Sequence, residues 1–452
     1  MIKIRKKIFY CLLQRIFLEY KFRCLFLSNE PKNVKSHIVI DFNQKYWKWL
    51  IILLCAAYCI FENSGKGDFY IFLSAADDLK LRENIFDKKY VDGYHYYYSV
   101  LFALILKPFA AMPFFLVKFF WLFLNALLFF NLLQILYMSR FAAKLNNRQK
   151  NIFLLFTFIV SLRFFINNIH HSQITILILW CCIKGLVLIS ENKPVRGALI
   201  LAWGINIKLL PIVFVPYLIY RGYFIAALLT IGFYIFFMFF PSLIIGHEYN
   251  MTLLSTWGAL INPTNQIHVL DVDERSFHGL TTLLATLFVK DVPDVYALKI
   301  NRNIADVSIE TLSKIILVTR LILIAITLYF LKLKIFVKAK TGFLQCVETS
   351  YILLLIPLIF PHQQHYAFLF AIPAFTTIMY FLIADGSTYK HRKTVIALMI
   401  FIGLCFNLKL LLGEFNDYYD HFKLITYCAL LLIPLLADVS KKASGQMLSP
   451  AT

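Results

Sequence analysis

Charge is what this chain has least of. Only 15% of its 452 residues are Asp, Glu, Lys or Arg, where an ordinary soluble domain has about a quarter. With 60% apolar residues and a mean hydropathy of +0.70, that scarcity excludes a soluble enzyme, a disordered scaffold and a small disulfide-stapled module. Several chemical signatures are missing as well. There is no Gly-rich phosphate loop, Walker motif or Gly-x-Ser-x-Gly elbow. The nine cysteines include no Cys-x-x-Cys pair and no zinc spacing. No repeat with a period of about 20–50 residues is visible.

What is present is a succession of apolar runs. Ten of them, near 46–62, 114–138, 151–167, 173–190, 223–241, 309–331, 343–360, 367–383, 394–412 and 423–437, are candidates to cross a bilayer. Two shorter runs, 197–207 and 209–220, meet at Lys208 and Pro211 and read as short tilted spans or helices broken near the surface. The run 98–112 carries Lys107, Pro108 and Pro113 and reads as interfacial or re-entrant. The expectation is an all-α polytopic membrane protein with about twelve crossings, two of them short, and both termini on one side. Residues 46–437 would form the transmembrane domain, between a basic amphipathic segment 1–45 and a tail 438–452.

The distribution of charge tests that order. Alternate segments, starting with 1–45 and ending with 438–452, hold 26 Lys and Arg against six acids. The opposite segments, chiefly 62–97, 242–308 and 413–421, hold nine basic and 17 acidic residues. The positive-inside rule puts both termini in the cytoplasm. The formal +20 is then a topology signal, not a nucleic-acid surface, because the basic residues are scattered over many segments. The stretch from Lys3 to Arg23 has no clean apolar core or small-residue cleavage site, so it reads as a helix on the inner leaflet rather than a signal peptide. No cysteine falls in an outer segment, so no outer disulfide is expected.

Polar chemistry gathers on the outer side. Gly67-Asp68-Phe69-Tyr70 follows the first span, and Tyr70 to Ile85 alternates as an amphipathic helix lying on the outer surface would. Asp68 at its start could be an N-cap or a reactive carboxylate. Arg163 lies near the outer end of its span, ahead of Asn167, Asn168, His170, His171 and Gln173, and Lys208 sits where the two short runs meet. These cations could simply snorkel to the surface, yet an ionisable group within a span is a functional candidate because its desolvation is costly. Arg275-Ser276-Phe277-His278-Gly279 and the outer turn Pro361-His362-Gln363-Gln364-His365-Tyr366 complete the set. A carboxylate and several cations at headgroup depth suit a lipid-phosphate sugar donor. Its phosphate would pair with Arg or Lys, and one carboxylate would take the acceptor proton. Such a reaction asks for no metal. The single Asp-x-Asp, Asp271-Val272-Asp273, is a weak candidate for one.

At these residues the chain resembles the GT-C glycosyltransferases, and among them family GT87 (the DUF2029 group), which uses polyprenyl-phosphate mannose. The resemblance is carried by Asp68-Phe69-Tyr70 with Ala75, Ala76 and Leu79, then by Tyr96-Tyr97-Tyr98-Ser99 and Lys107-Pro108-Phe109 to Pro113. It continues in His171-Ser172-Gln173-Ile174-Thr175, Lys208-Leu209-Leu210-Pro211, Glu274-Arg275-Ser276-Phe277-His278-Gly279 and His362 to His365. Two motifs depart from the family pattern: its Tyr-Pro-Pro run is Tyr-Tyr-Ser here, and its Asn-Gln pair is Glu274-Arg275. The resemblance implies a GT-C fold with amphipathic interfacial helices in the first outer loop. It implies Asp68 as the general base and Lys208, Arg163 and Arg275 as donor-phosphate ligands. Tyr70, His171, Gln173, Ser276, His278, His362 and His365 would line the sugar and acceptor pocket. The implied partners are a polyprenyl-phosphate sugar, a glycolipid or glycan acceptor and membrane lipid, with no nucleic acid and no metal or other cofactor.

Two other classes share the coarse features. A polysaccharide polymerase or ligase would rely on several outer arginines, and only Arg82, Arg275 and Arg302 lie in the long outer loops. A lipid-glycan flippase would show repeated halves and charged broken helices at the midplane, whereas here the charges gather at the outer mouths. The Lys-, Ile-, Phe- and Asn-rich composition suggests a bacterial inner membrane with the site facing the periplasm; an endoplasmic-reticulum protein facing the lumen would read the same way.

Overall fold

The computed structural model describes residues 44–138, 145–262, 277–294, 297–332, 335–339, 341–361, 363–384, 389–410 and 412–446. The basic amphipathic stretch at the N-terminus lies outside them, as do Asp271, Asp273, Arg275, Ser276 and His362. The chain groups into residues 1–54 and 55–452. Of the first unit only the helical stretch from Gln44 is described; the second carries the helical bundle and the site.

The described residues are helical, with two isolated β-bridges, Lys89 with His95 and Phe277 with Gln364. Helix α1 is Gln44–Phe61, α2 Gly67–Asp78, α3 Val100–Leu106 and α4 Phe114–Met138. There follow α5 Asn147–His170, α6 Thr175–Ser190, α7 Pro194–Ile207, α8 Phe214–Tyr220 and α9 Phe224–Phe239. The short α10 Ser242–Ile245 precedes α11 His247–Leu260, α12 Leu280–Phe288, α13 Ile309–Leu331 and α14 Gly342–Ile359. The last four are α15 Ile372–Ala384, α16 Arg392–Asn407, α17 Asn416–His421 and α18 Leu424–Gln446.

Among the described residues, seven stretches are long and apolar enough to cross a membrane: Phe114–Leu136, Asn147–His170, Phe224–Ile245, Ile309–Leu331, Gly342–Ile359, His365–Ala384 and Leu424–Lys441. The shorter apolar helices Ile52–Ser64, Thr175–Ser190, Pro194–Ile207 and Leu210–Tyr220 fall below that length. The chain is therefore a helical polytopic membrane protein. Burial separates the roles of the spans. The stretch His365–Ala384 is 89% buried and forms the centre, whereas Phe224–Ile245 is only 17% buried. Leu228, Ile225, Leu321 and Ile322 stand exposed on the peripheral helices, an apolar surface suited to lipid tails and costly in water.

Local chemistry sets the helix ends. Asn146 and Gln149 form a reciprocal capping box at the start of α5 (2.9 and 3.0 Å). Ser308 and Thr341 cap α13 and α14 by accepting from Thr311 and Leu344 amides. Helices α6 and α7 approach through Gly185 and Gly197, where a Cβ on Gly197 would stand 2.6 Å from the Gly185 carbonyl. At the end of the bundle away from the site, Arg221 follows α8 and is buried against Glu348 of α14. Its guanidinium also donates to the carbonyls of Leu331 (2.9 Å) and Val337 (3.1 Å), and Tyr217 Oη donates to the same carboxylate at 3.1 Å. Arg221 is thus a buried tie between three elements.

Candidate active site

The site begins where α2 starts. Helix α2 covers Gly67–Asp78, three residues earlier than the alternation from Tyr70 predicts and ending well before Ile85. At its last residue the Asp78 carboxylate binds Lys88 and Tyr90 Oη, both at 3.0 Å, and the Asp78 carbonyl accepts the Glu83 amide at 3.2 Å. One face of α2, with Phe69, Ile71, Phe72, Leu73, Ala75 and Ala76, is buried, and Asp77 stands exposed. At its other end Gly67 takes φ +57°, and its Cα packs on the turn between α5 and α6. A Cβ there would stand 2.8 Å from Ser172 Oγ and 2.9 Å from the His171 carbonyl. The Asp68 amide donates to that carbonyl at 3.0 Å. The N-cap of α2 is Lys66, whose side chain makes no capping bond, so Asp68 is not a capping residue.

Helix α4 braces both strips of chain. Lys118 Nζ, buried, donates to the carbonyls of Glu62 (3.0 Å) and Gly65. Trp121 Nε1 donates to the Ser172 carbonyl at 3.0 Å, and its ring stacks on Phe69 at 5.0 Å. Glu62 also meets His170 Nδ1 at 2.7 Å. The result is a fixed approach of Gln173 to the carboxylate: Gln173 Nε2 donates to Asp68 Oδ2 at 2.5 Å.

Asp68 faces a cavity of about 900 Å³, near the top of the ~300–1,000 Å³ range of small-molecule sites. Lys208, His170, His171 and His365 share its walls with Tyr94, Tyr97, Tyr98 and Trp257. Lys208 follows α7 in extended conformation (φ −144°, ψ 125°), with Nζ 5.5 Å from the centre of the Tyr98 ring. Ser99, which caps α3, ties that wall together by donating to Asn206 Oδ1 at 2.9 Å. The bridge between Phe277 and Gln364, with the His278 amide donating to the Gln363 carbonyl at 2.9 Å, joins the second long loop to the His-rich turn.

The structure sorts the sequence candidates into three groups. Asp68, Lys208, His171 and His365 line the cavity, and Gln173 reaches it through Asp68. Arg163, His278 and Tyr70 do not line it. Arg163 is 1% exposed with its guanidinium 5.1 Å from the centre of the Tyr419 ring. His278 is fully buried, edge-on to His365 at 5.8 Å. Burial lowers its pKa well below 6.5, and the charges of Lys423, Lys409 and Arg163 push the same way, so the ring is neutral. Tyr70 packs edge-on against Phe114 and under Lys66 Nζ. Arg275, Ser276 and His362 lie outside the described residues. Lys66 and Lys409 also line the cavity, though neither was picked out in the sequence. Lys409 falls in the run 394–412 that reads as a span, whereas α16 ends at Asn407 and a single 3₁₀ turn, Leu408–Leu410, carries the lysine to the wall.

Among the described residues no group of three or more His, Cys, Asp or Glu side chains is placed to hold a metal ion. Compared with known proteins, the chain matches the profile of Glycosyltransferase family 87 over residues 96–361. Lys208, Gln173 and His278 lie inside the matched residues, and Asp68, His365 and Lys409 lie outside them. No curated protein and no solved structure matches. The match spans more than half of the chain, and its helical membrane architecture agrees with it: the protein belongs to glycosyltransferase family 87.

Proposed function

We propose that this membrane glycosyltransferase moves a hexosyl residue, mannosyl by family resemblance, from a polyprenyl-phosphate sugar to a glycolipid or glycan acceptor, with inversion. The observation that carries the reading is the placing of one carboxylate and a lysine on the walls of one cavity, with the carboxylate fixed by Gln173. Asp68 takes the proton of the acceptor hydroxyl as its oxygen attacks the anomeric carbon. The bond from that carbon to the phosphate oxygen breaks, and the phosphate leaves with the electron pair. Lys208 pairs with the charge that the donor phosphate already carries. The leaving group needs no proton at neutral pH, so a single acid residue suffices and the scheme calls for no metal. Rings at Tyr97, Tyr98 and Trp257 offer apolar faces for sugars.

Arg163 takes a supporting part here: it lies over the Tyr419 ring and acts on the site through its charge. In the membrane, the reading places the cavity on the periplasmic side of a bacterial inner membrane. Both termini are then cytoplasmic, and the shorter helices bring the crossings to about twelve. The test is transfer by the purified full-length protein from polyprenyl-phosphate sugars to a panel of glycolipid acceptors. Asp68→Asn should lower transfer by about 10²–10⁴-fold while the variant still folds and binds donor. Undiminished transfer in that variant would remove Asp68 as the base and with it the mechanism.

A further inference from the structure

Besides Lys208, two lysines line the cavity for which the proposed mechanism has no use: Lys66, whose Nζ lies over the Tyr70 ring, and Lys409. Lys409 Nζ is bound to Asp420 Oδ2 at 2.7 Å; the lysine side chain is 34% exposed and the carboxylate 2%. Asp420 Oδ1 faces His278 Nε2 at 3.6 Å. Behind this pair, Asp294 receives Lys423 at 2.7 Å and Arg302 at 2.8 Å, and both Asp294 and Lys423 are almost wholly buried. Of these side chains, Asp294, Asp420, Arg302, Lys409 and Lys423, Lys409 is the most exposed, and it opens on the substrate cavity.

We infer that Lys409 is the cation for the departing phosphate, distinct in role from Lys208; the inference rests on the polyprenyl-phosphate reading of the site. The charge count separates the two. A polyprenyl-phosphate sugar is a phosphodiester with one negative charge, and cleavage of its glycosidic bond leaves a monoester with two. Lys208, standing over the Tyr98 ring, meets the charge already present. Lys409 is shared with Asp420 in the resting site, so it gains little from a monoanion and more from the dianion that forms. An interaction that strengthens as the bond breaks acts on the rate of the chemical step rather than on donor binding.

The experiment measures binding of polyprenyl monophosphate, the leaving group itself, to the full-length protein in nanodiscs of phosphatidylcholine, with inorganic phosphate and polyprenol as comparison probes. Lys409→Gln should weaken polyprenyl monophosphate about tenfold, leave polyprenol unchanged, and lower kcat with little change in the donor KM. Lys409→Arg should keep most of the affinity. Asp420→Asn, which removes the competing carboxylate, should hold or raise it, whereas a merely structural pair would lose affinity in both variants. Equal binding by Lys409→Gln and the unaltered protein overturns the assignment and leaves the donor class standing. An equal loss for inorganic phosphate also overturns it, by making this a site for free phosphate. If the unaltered protein binds no polyprenyl monophosphate, the donor class itself fails and takes the assignment with it.

Discussion

Gly67→Ala is the sharpest probe of how the site is assembled, because one methyl group meets two separate obstacles. The first is conformational. At φ +57° a residue with a Cβ pays about 1 kcal/mol relative to glycine. The second is contact: the new carbon would stand 2.8 Å from Ser172 Oγ and 2.9 Å from the His171 carbonyl. The hydroxyl can rotate aside, but the carbonyl belongs to a turn that Trp121 holds from behind. Overpacking of this kind costs about 1–3 kcal/mol, so the folded state should lose roughly 2–4 kcal/mol in all. If the chain instead relieves the clash by lifting α2 away, the Asp68 amide loses its 3.0 Å bond to His171 and the carboxylate moves off Gln173. A shift of about 1 Å at a reacting group is enough for a loss of about a hundredfold. Gly65→Ala is the matched control: nothing stands within 4 Å of its Cβ and its φ is negative. The assay pairs thermal unfolding in detergent with transfer activity. Gly67→Ala should fail in one or both while Gly65→Ala resembles the unaltered protein. A Gly67→Ala protein of normal stability and activity would show that the contact between α2 and the 171–172 turn does not set the site.

Two further outcomes concern stability. Removing one partner of the buried Arg221 and Glu348 pair, as in Glu348→Gln, should cost about 3–5 kcal/mol, read as a fall in unfolding midpoint. Replacing both with apolar residues of like size should cost clearly less, and equal losses would refute the account of a charge stranded without its partner. The neutral His278 makes a pH prediction. Its folded pKa lies below the ordinary 6.5, so on acidification the unfolded chain takes up the proton first. Its contribution is fully present above about pH 6.5 and is lost below it, by up to about 1.4 kcal/mol per pH unit. Midpoints measured between about pH 7.5 and 5.5 should fall less steeply for His278→Gln than for the unaltered protein; parallel slopes would refute this.

Hydropathy was enough to find the seven long apolar helices among the described residues, because a bilayer imposes one rule on every helix. It does not say which helix is central: the stretch His365–Ala384 and the peripheral Phe224–Ile245 read alike in sequence, and only packing separates them. The same limit governs the site. Asp68, Gln173 and Lys208 are legible one by one as polar residues at the mouths of spans. What joins Asp68 to Gln173, 105 positions on, is a glycine with positive φ seated on a turn, and no periodicity encodes that contact. Charge is visible in sequence but its surroundings are not. Arg163 reads as a phosphate ligand, whereas it is buried over the Tyr419 ring and does not line the cavity. Lys409 reads as a residue of a span, because the break at Asn407 has no proline or glycine to announce it. Where a helix in lipid unwinds without such a residue, its freed backbone groups and its charged side chain must find partners in protein or water. Here the Leu412 amide donates to the Leu408 carbonyl, and Lys409 finds Asp420. The unwinding and the ion pair are therefore one event, and the lysine on the cavity wall is its consequence.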